Sequence, residues 1–338
     1  MAALDELATV VVVPRERFSE TRRSLESILA HTPPDLNPVY IDGGSPRATA
    51  AYLRNRARER RFRLIRTDQF LAPNQARNIG WRHADTRYVI FVDNDVVVKP
   101  GWLDALIRCA EETGAGAVGP IVCIGDPGDD CIHIAAGWLN VNERDGRREL
   151  DEHMAHINER VRDVRHSLRR TACDYSEFHC LLARRELFDK IGELDEAIIS
   201  TREHIDFCLA VRRAGGSVYF EPGVCVTHVP PWRSFSLSDI PYYLLRWNDE
   251  WAHDTVKHFV RKWNLADDTD DRLTSWIVPH RRVIFQGIEN RFRPALIRNK
   301  VGKPLVQAFA EITERILIPL ARRKSRAGPG KKILATIP

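Results

Sequence analysis

Short β-branched runs alternating with segments of helical period constrain this chain more than any other feature of its sequence. Residues 9–13 read as a strand, and after a polar turn a helix pattern runs from about 20 to 30, with Leu25, Ile28 and Leu29 on one face. Pro33-Pro34 stops it. Residues 39–41 form the next strand, which ends in Asp42-Gly43-Gly44-Ser45-Pro46, strong turn chemistry. A helix over 50–60, a strand over 62–65, a helix over 74–83, a strand over 88–92 and a helix over 101–112 follow. Repeated β-α units specify an α/β fold with a mostly parallel, doubly wound sheet and helices on both faces. In such sheets ligands bind beyond the carboxyl ends of the strands, so strand-end residues are the ones to examine.

The pattern weakens after Cys123. Residues 125–130 read as a loop, 132–141 as a hairpin arm and 151–170 as a polar helical insertion. Strand character returns over 178–183, then helices over 184–191 and from about 203 to 214, a strand over 218–220 and an extended segment over 224–229. Beyond Pro230 the chain is helical and rich in tryptophan. At 338 residues, it divides into a main domain over 1–235, with an insertion at 123–172, and a helical, basic extension over 236–338.

Composition excludes several classes. The 43% hydrophobic and 29% charged content supports a packed core rather than a disordered chain. A net charge of +5 suits an anionic ligand without demanding one. The seven cysteines contain no CxxC pair, which argues against a zinc ribbon or a disulfide framework. The acidic N-terminus does not read as a signal peptide, and no apolar stretch approaches the ~18 residues needed to cross a bilayer. These features set the expectation of a cytoplasmic location, compatible with attachment to the inner face of a membrane.

Asp93 and Asp95 sit at the end of an apolar strand and are spaced to share one side if the chain stays extended. Two such carboxylates resist desolvation by several kcal/mol unless something positive lies between them. A divalent cation carrying phosphate oxygens is a natural partner, since hard cations choose oxygen; a solvent-facing acidic turn is the competing account. Asp42 with its glycines either lets backbone approach a ligand or forms a simple Asx turn. Glu203, His204 and Asp206 open a helix, where acids also serve the dipole. His228 precedes Pro230-Pro231.

The order of these pieces resembles family 2 glycosyltransferases of the GT-A fold over about two-thirds of the chain. The matching run comprises the first strand, the Asp42-Gly-Gly-Ser turn, Ala76-Arg77-Asn78-Ile79-Gly80, the DxD of Asp93-Asn94-Asp95, and residues 97–101 leading into Trp102-Leu103. It continues through Arg184-Arg185-Glu186, Ile191-Gly192-Glu193-Leu194-Asp195-Glu196, Glu203-His204-Ile205-Asp206 and His228. The resemblance implies an inverting transferase using a nucleotide-diphosphate sugar and a divalent metal, Mn2+ or Mg2+. Pro14, Asp42, Arg77, Asn78, Asp93 and Asn94 would then hold the nucleotide-sugar, and Asp95, His228 and Asp93 the metal. A carboxylate would take the acceptor proton, the acceptor being a glycan or lipid-linked glycan.

Two departures stand out. The family's Glu-Asp pair is Glu203-His204 here, which leaves Glu203, His204 or Asp206 as the base, Glu203 being preferred because it keeps a carboxylate in the motif. Phe178-His179 replaces a small Gly-Ala pair near the donor sugar. A catalytically inactive GT-A binding module is one alternative. A sugar-phosphate nucleotidyltransferase is another, but Pro14-Arg15-Glu16-Arg17 lacks the glycine-rich phosphate loop it needs. Past residue 285 basic residues dominate (Arg291, Arg293, Arg298, Lys300, Lys303, Arg315, Arg322, Arg323, Lys324, Arg326, Lys331 and Lys332), with Leu305, Phe309, Ile312, Ile316 and Leu317 at helical spacing. Such a helix either packs on the catalytic domain ahead of a solvated tail or touches an anionic membrane. Nothing aromatic and basic suggests nucleic acid.

Overall fold

The computed structural model describes residues 7–285, apart from 37, 145 and 233–235, together with 302–326 and 333–337. β1 (Ala8–Val13), α1 (Thr21–Ala30), β2 (Val39–Gly43), α2 (Arg47–Arg60), β3 (Arg63–Thr67), α3 (Pro73–Trp81) and β4 (Tyr88–Asp93) alternate as the periodicity requires. β1 and β4 are buried along their whole length, which is why they read as continuous apolar runs instead of alternating ones. β4, β1, β2 and β3 are parallel neighbours in that order.

After β4 the chain turns through Asn94-Asp95 into the short β5 (Val96–Val97), then α4 (Trp102–Thr113) and β6 (Ala117–Ile124). β7 (Ile132–Ile134) pairs with β6. Residues 151–170 are not the polar helix that the sequence suggested. β8 (Gly137–Arg144) and β9 (Arg147–Met154) form a hairpin in register from Gly137↔Met154 to Arg144↔Arg147, and only α5 (Val161–Val164) is helical. β9 is half-exposed and alternates in burial at its end, so its polarity marks a solvated ribbon.

β10 (Thr171–Cys173), β11 (Cys180–Arg184), α6 (Glu186–Ile191) and α7 (Glu203–Arg213) lead into β12 (Val218–His228). β12 joins the two segments expected at 218–220 and 224–229 through an irregularity between Glu221 and Cys225. β11 runs antiparallel between β4 and β6, and β12 lies parallel to β6. The result is a mixed, mostly parallel α/β sheet.

α8 (Ile240–Arg246) and α9 (Asp249–Trp263) pack onto this sheet, and α10 (Thr269–Arg272) continues through a π-helical turn at Leu273–Ile277. α11 (Gly302–Arg326) lies against α8, with Leu317 and Ile318 beside the cluster of Tyr243, Leu244 and Trp247. β13 (Ile333–Ile337) pairs antiparallel with β3, so the tail expected to be solvated ends on the sheet edge. Arg291, Arg293, Arg298, Lys300, Lys331 and Lys332 lie outside the described residues, as do the side chains of Lys303, Leu305, Phe309 and Arg326.

Candidate active site

A cavity of about 860 Å3 opens at the carboxyl edge of the sheet. Three strands deliver its floor. β4 ends at Asp93, β11 begins one residue after His179, and β12 ends at His228. The register is fixed by backbone: Asp93 N donates to His179 O at 3.1 Å, and Val229 N donates to Asp95 O at 3.0 Å.

Asp93 and Asp95 are both buried, 1% and 0% exposed, but the turn between them sends them to different partners. Arg77 Nη2 donates to Asp93 Oδ1 at 3.0 Å, and Arg15 Nε lies 3.7 Å from Oδ2. Burial pushes the Asp93 carboxyl above its usual range, against the pull of Arg77 and Arg15. Arg77 is itself fully buried, stacked over Phe178 at 4.0 Å, and burial lowers its pKa.

Asp95 has no comparable anchor. Among the described residues neither carboxylate oxygen makes a hydrogen bond, and the same is true of His228 Nε2, which lies 3.5 Å from Asp95 Oδ2. The arginine nitrogen nearest to it among the described residues is Arg17 Nε at 3.9 Å. A buried carboxylate left without hydrogen bonds costs about 1–3 kcal/mol or more, a cost that a bound cation would offset. Donor atoms of Asp95, His179 and His228 lie within 4.8 Å of one another, as do those of His133, Glu177 and His179. Burial lowers the pKa of both His179 and His228, which keeps the imidazoles neutral and their lone pairs available to a cation. The donor set therefore fits a divalent metal.

Glu203 and His204 line the same cavity from the first turn of α7. Arg246 Nη2 donates to Glu203 Oε1 at 2.5 Å, and the same guanidinium donates to Ile199 O at 2.7 Å. Burial would raise the Glu203 carboxyl, but Arg246 and Arg77 hold it below the ordinary glutamate range. Asp206 points elsewhere. Its oxygens accept from Lys262 Nζ and from Trp263 Nε1, each at 2.9 Å, and it does not line the cavity.

Three further expected residues are occupied by the fold itself. The Asn78 amide donates to Leu194 O and Glu196 Oε1 and accepts from Leu194 N. Asn94 accepts from Arg15 N and donates to Arg17 O and Thr21 Oγ1, which ties the turn to the loop after β1. Asp42 accepts from Ser45 N at 2.9 Å and is paired with Arg66 Nη1. Above it, Lys324 donates to Gly44 O at 2.6 Å, and Tyr242 Oη donates to Pro14 O and Leu71 O. None of Asn78, Asn94, Asp42 and Pro14 lines the cavity.

Sequence reasoning passed over Arg15, Glu16, Glu177, Arg246 and His280, all of which line the cavity. Glu16 accepts from Trp247 Nε1 at 3.1 Å. Burial would raise its carboxyl, but His280, Arg15 and His228 together hold it below the usual range. The charged run Arg15-Glu16-Arg17, directly after a buried strand, was the available signal.

Fold and cleft together define an α/β protein of the GT-A type, with arginines and unpartnered metal-type donors at the carboxyl edge of its sheet. The chain belongs to glycosyl transferase family 2, whose profile matches residues 9–192, more than half of it. It is 26% identical to an uncharacterised protein, y4gI, of Sinorhizobium fredii, over 78% of this chain and 28% of that one. Human polypeptide N-acetylgalactosaminyltransferase 9 is 23% identical over 78% of this chain and 45% of its own length. A Mycobacterium tuberculosis pre-mycofactocin glycosyltransferase is 23% identical over 65% of this chain and 42% of its own. The chain thus spans less than half the length of these relatives. A structure of GalNAc-T7 with UDP, GalNAc and Mn2+ shares the fold, with a TM-score of 0.50 at 15% identity, covering 82% of this chain and 58% of that one.

Proposed function

We propose that this chain transfers a glycosyl group from a nucleotide-diphosphate sugar to a hydroxyl acceptor, with a divalent metal held by Asp95 and His228. The observation that carries the reading is the buried Asp95 carboxylate, 3.5 Å from His228 Nε2, with no hydrogen bond to either group's facing atoms among the described residues, directly behind the His228 that lines an arginine-bearing cavity. Similarity to enzymes named as glycosyltransferases, and to a fold seen with UDP and Mn2+, supports the donor class and the metal.

When bound, the metal would supply Lewis-acid stabilisation of negative charge on the departing diphosphate. The protein groups around it do the rest. Arg15 and Arg77 bring positive charge to the same floor, where preorganised donors can stabilise charge developing on phosphate oxygens. Asp93, clamped by Arg77, is placed to accept from a ribose or sugar hydroxyl. The inverting course implied by the family resemblance needs a base on the acceptor side. Glu203 takes that role in this reading because its arginine partners keep it ionised, with His204 as the neighbouring alternative. Asp206 is set aside, since Lys262 and Trp263 occupy it outside the cavity.

In this scheme residues 1–235 form the catalytic unit. The 236–338 extension completes the cleft, to which it contributes Arg246, Trp247 and His280. Among the described residues no helix is long and apolar enough to cross a membrane. A glycan or lipid-linked acceptor suits the size of the cavity, and α11 offers a surface for peripheral membrane contact. Incubation with a panel of nucleotide-sugars and Mn2+, scored for slow donor hydrolysis, tests the reading. Hydrolysis of at least one donor that is lost in Asp95→Ala supports it. Nucleotide binding with no hydrolysis of any donor would mark an inactive binding module instead.

A further inference from the structure

His179 is the residue that the metal site above does not use and that the sequence singled out only as bulk. It stands where the family pattern has a small side chain, and it is 1% exposed. Its place is not accidental to the sheet. Pairing of β11 with β4 sets Cys180 opposite Val92, which puts His179 opposite Asp93 at the mouth of the DxD turn. Pairing of β12 with β5 sets His228 opposite Val96, on the other flank of the same turn. The two imidazole rings stack with centroids 4.2 Å apart and planes 29° apart, and Asp95 completes a group of three buried donors.

Stacking two buried imidazoles beside a carboxylate that no hydrogen bond satisfies is costly for a fold with no ion to share. One cation satisfies all of them. We propose that His179 is the third protein ligand of the metal, which makes the site a set of two imidazoles and one carboxylate that selects a transition-metal ion such as Mn2+, Co2+ or Zn2+ over Mg2+ and Ca2+. Imidazole nitrogen suits the transition series, whereas Mg2+ and Ca2+ take oxygen ligands. The inference rests on the proposed function for its setting, but it concerns the apoprotein's own side chains and is tested without any nucleotide.

Arg15 is the built-in competitor. Its Nη1 lies 2.8 Å from His179 Nδ1 and 2.5 Å from Nε2, on a side chain 13% exposed to solvent. The guanidinium occupies the ring edge that a metal would claim, and it repels the metal's charge. The cluster of His133, Glu177 and His179 is the rival location, since it shares His179 and omits Asp95.

The test is titration of metal-free full-length protein with Co2+, followed by visible absorption, and with Mn2+ and Mg2+ by calorimetry. Wild type is expected to bind one equivalent of Co2+ with nitrogen-ligand absorption, and to bind Co2+ and Mn2+ at least tenfold more tightly than Mg2+. His179→Ala should lower Co2+ and Mn2+ affinity tenfold or more and erase the preference over Mg2+, with an unchanged circular dichroism spectrum. Arg15→Ala should tighten binding. Equal wild-type affinity for Mg2+ and Co2+, no Co2+ binding at all, or a His179→Ala spectrum identical to wild type would overturn the inference. So would loss of binding in Glu177→Gln with binding intact in Asp95→Asn. Failure to find a nucleotide-sugar substrate would leave these results untouched and would count against the proposed function alone.

Discussion

Glu203 and His204 are adjacent in sequence and share a cavity, yet they differ in what their surroundings allow. Glu203 lies between Arg246 and Arg77, which hold its carboxyl below the ordinary range. A base with a depressed pKa stays ionised as pH falls. If Glu203 takes the acceptor proton, the acidic limb of kcat/KM at saturating metal should lie below about 4.3, the ordinary glutamate value. An ordinary histidine base would put that limb near pH 6.5. Glu203→Gln should cost about 100-fold or more in kcat while donor binding is retained, and full activity in that variant would move the role to His204. Asp42 makes a different prediction, because its carboxylate is fully buried against Arg66 and Ser45 N. Asp42→Ala should lose about 1–3 kcal/mol of stability in urea, since it strands Arg66, and a wild-type midpoint would contradict that. At this scale the sequence was legible where chemistry and strand ends coincide: Asp95 and His228 do meet, whereas Asp93, expected beside them, turns to Arg77 and Arg15. It was not legible for Asn78 and Asn94, whose amides bond to segments far along the chain. Nor did it reveal Arg246, which reaches Glu203 from 43 residues away.

The elements before residue 120 were readable because continuous burial of β1 and β4 leaves apolar runs, and covering helices leave a 3.6-residue period. The β8–β9 hairpin escaped the same reading. Its strands are largely solvated, so the apolar signal that marks a strand is weak, and charged side chains imitate a polar helix. β12 was split in two because Pro222-Gly223 falls at its irregularity. One element contact is sharply testable. α3 approaches β1 so closely that a Cβ on Gly80 would sit 2.1 Å from Val11 Cγ1. Gly80→Ala should therefore destabilise the protein by about 1–3 kcal/mol through overpacking, read as a lower denaturation midpoint. An unchanged midpoint would show that α3 is free to shift.

On the scale of the whole molecule, the C-terminal half is part of the cleft's architecture. α8 supplies Arg246, and α11 covers the Asp42 end through Lys324, which also sits 3.8 Å over the Phe70 ring. Sequence pattern could place a helix there but not its docking, because the contacts join residues more than 250 positions apart. The far side of α11 presents Ile312, Ile316 and Leu320, each more than half exposed and four residues apart, with Arg315 among them. Such a face suits the surface of an anionic bilayer. The protein should sediment with vesicles containing phosphatidylserine, less so at high salt, and Ile316→Asp should release it. No sedimentation at low salt would limit α11 to its packing role.

The pairing of a cation with a diphosphate at Asp95 and His228 is tested most directly by calorimetric titration of nucleoside diphosphates into the protein, with and without Mn2+. Tight binding of at least one diphosphate that requires Mn2+, and that Asp95→Asn removes while leaving the fold intact, is the predicted result. A diphosphate that binds equally well in the presence of a chelator, or one that still needs Mn2+ in the Asp95→Asn variant, would contradict it.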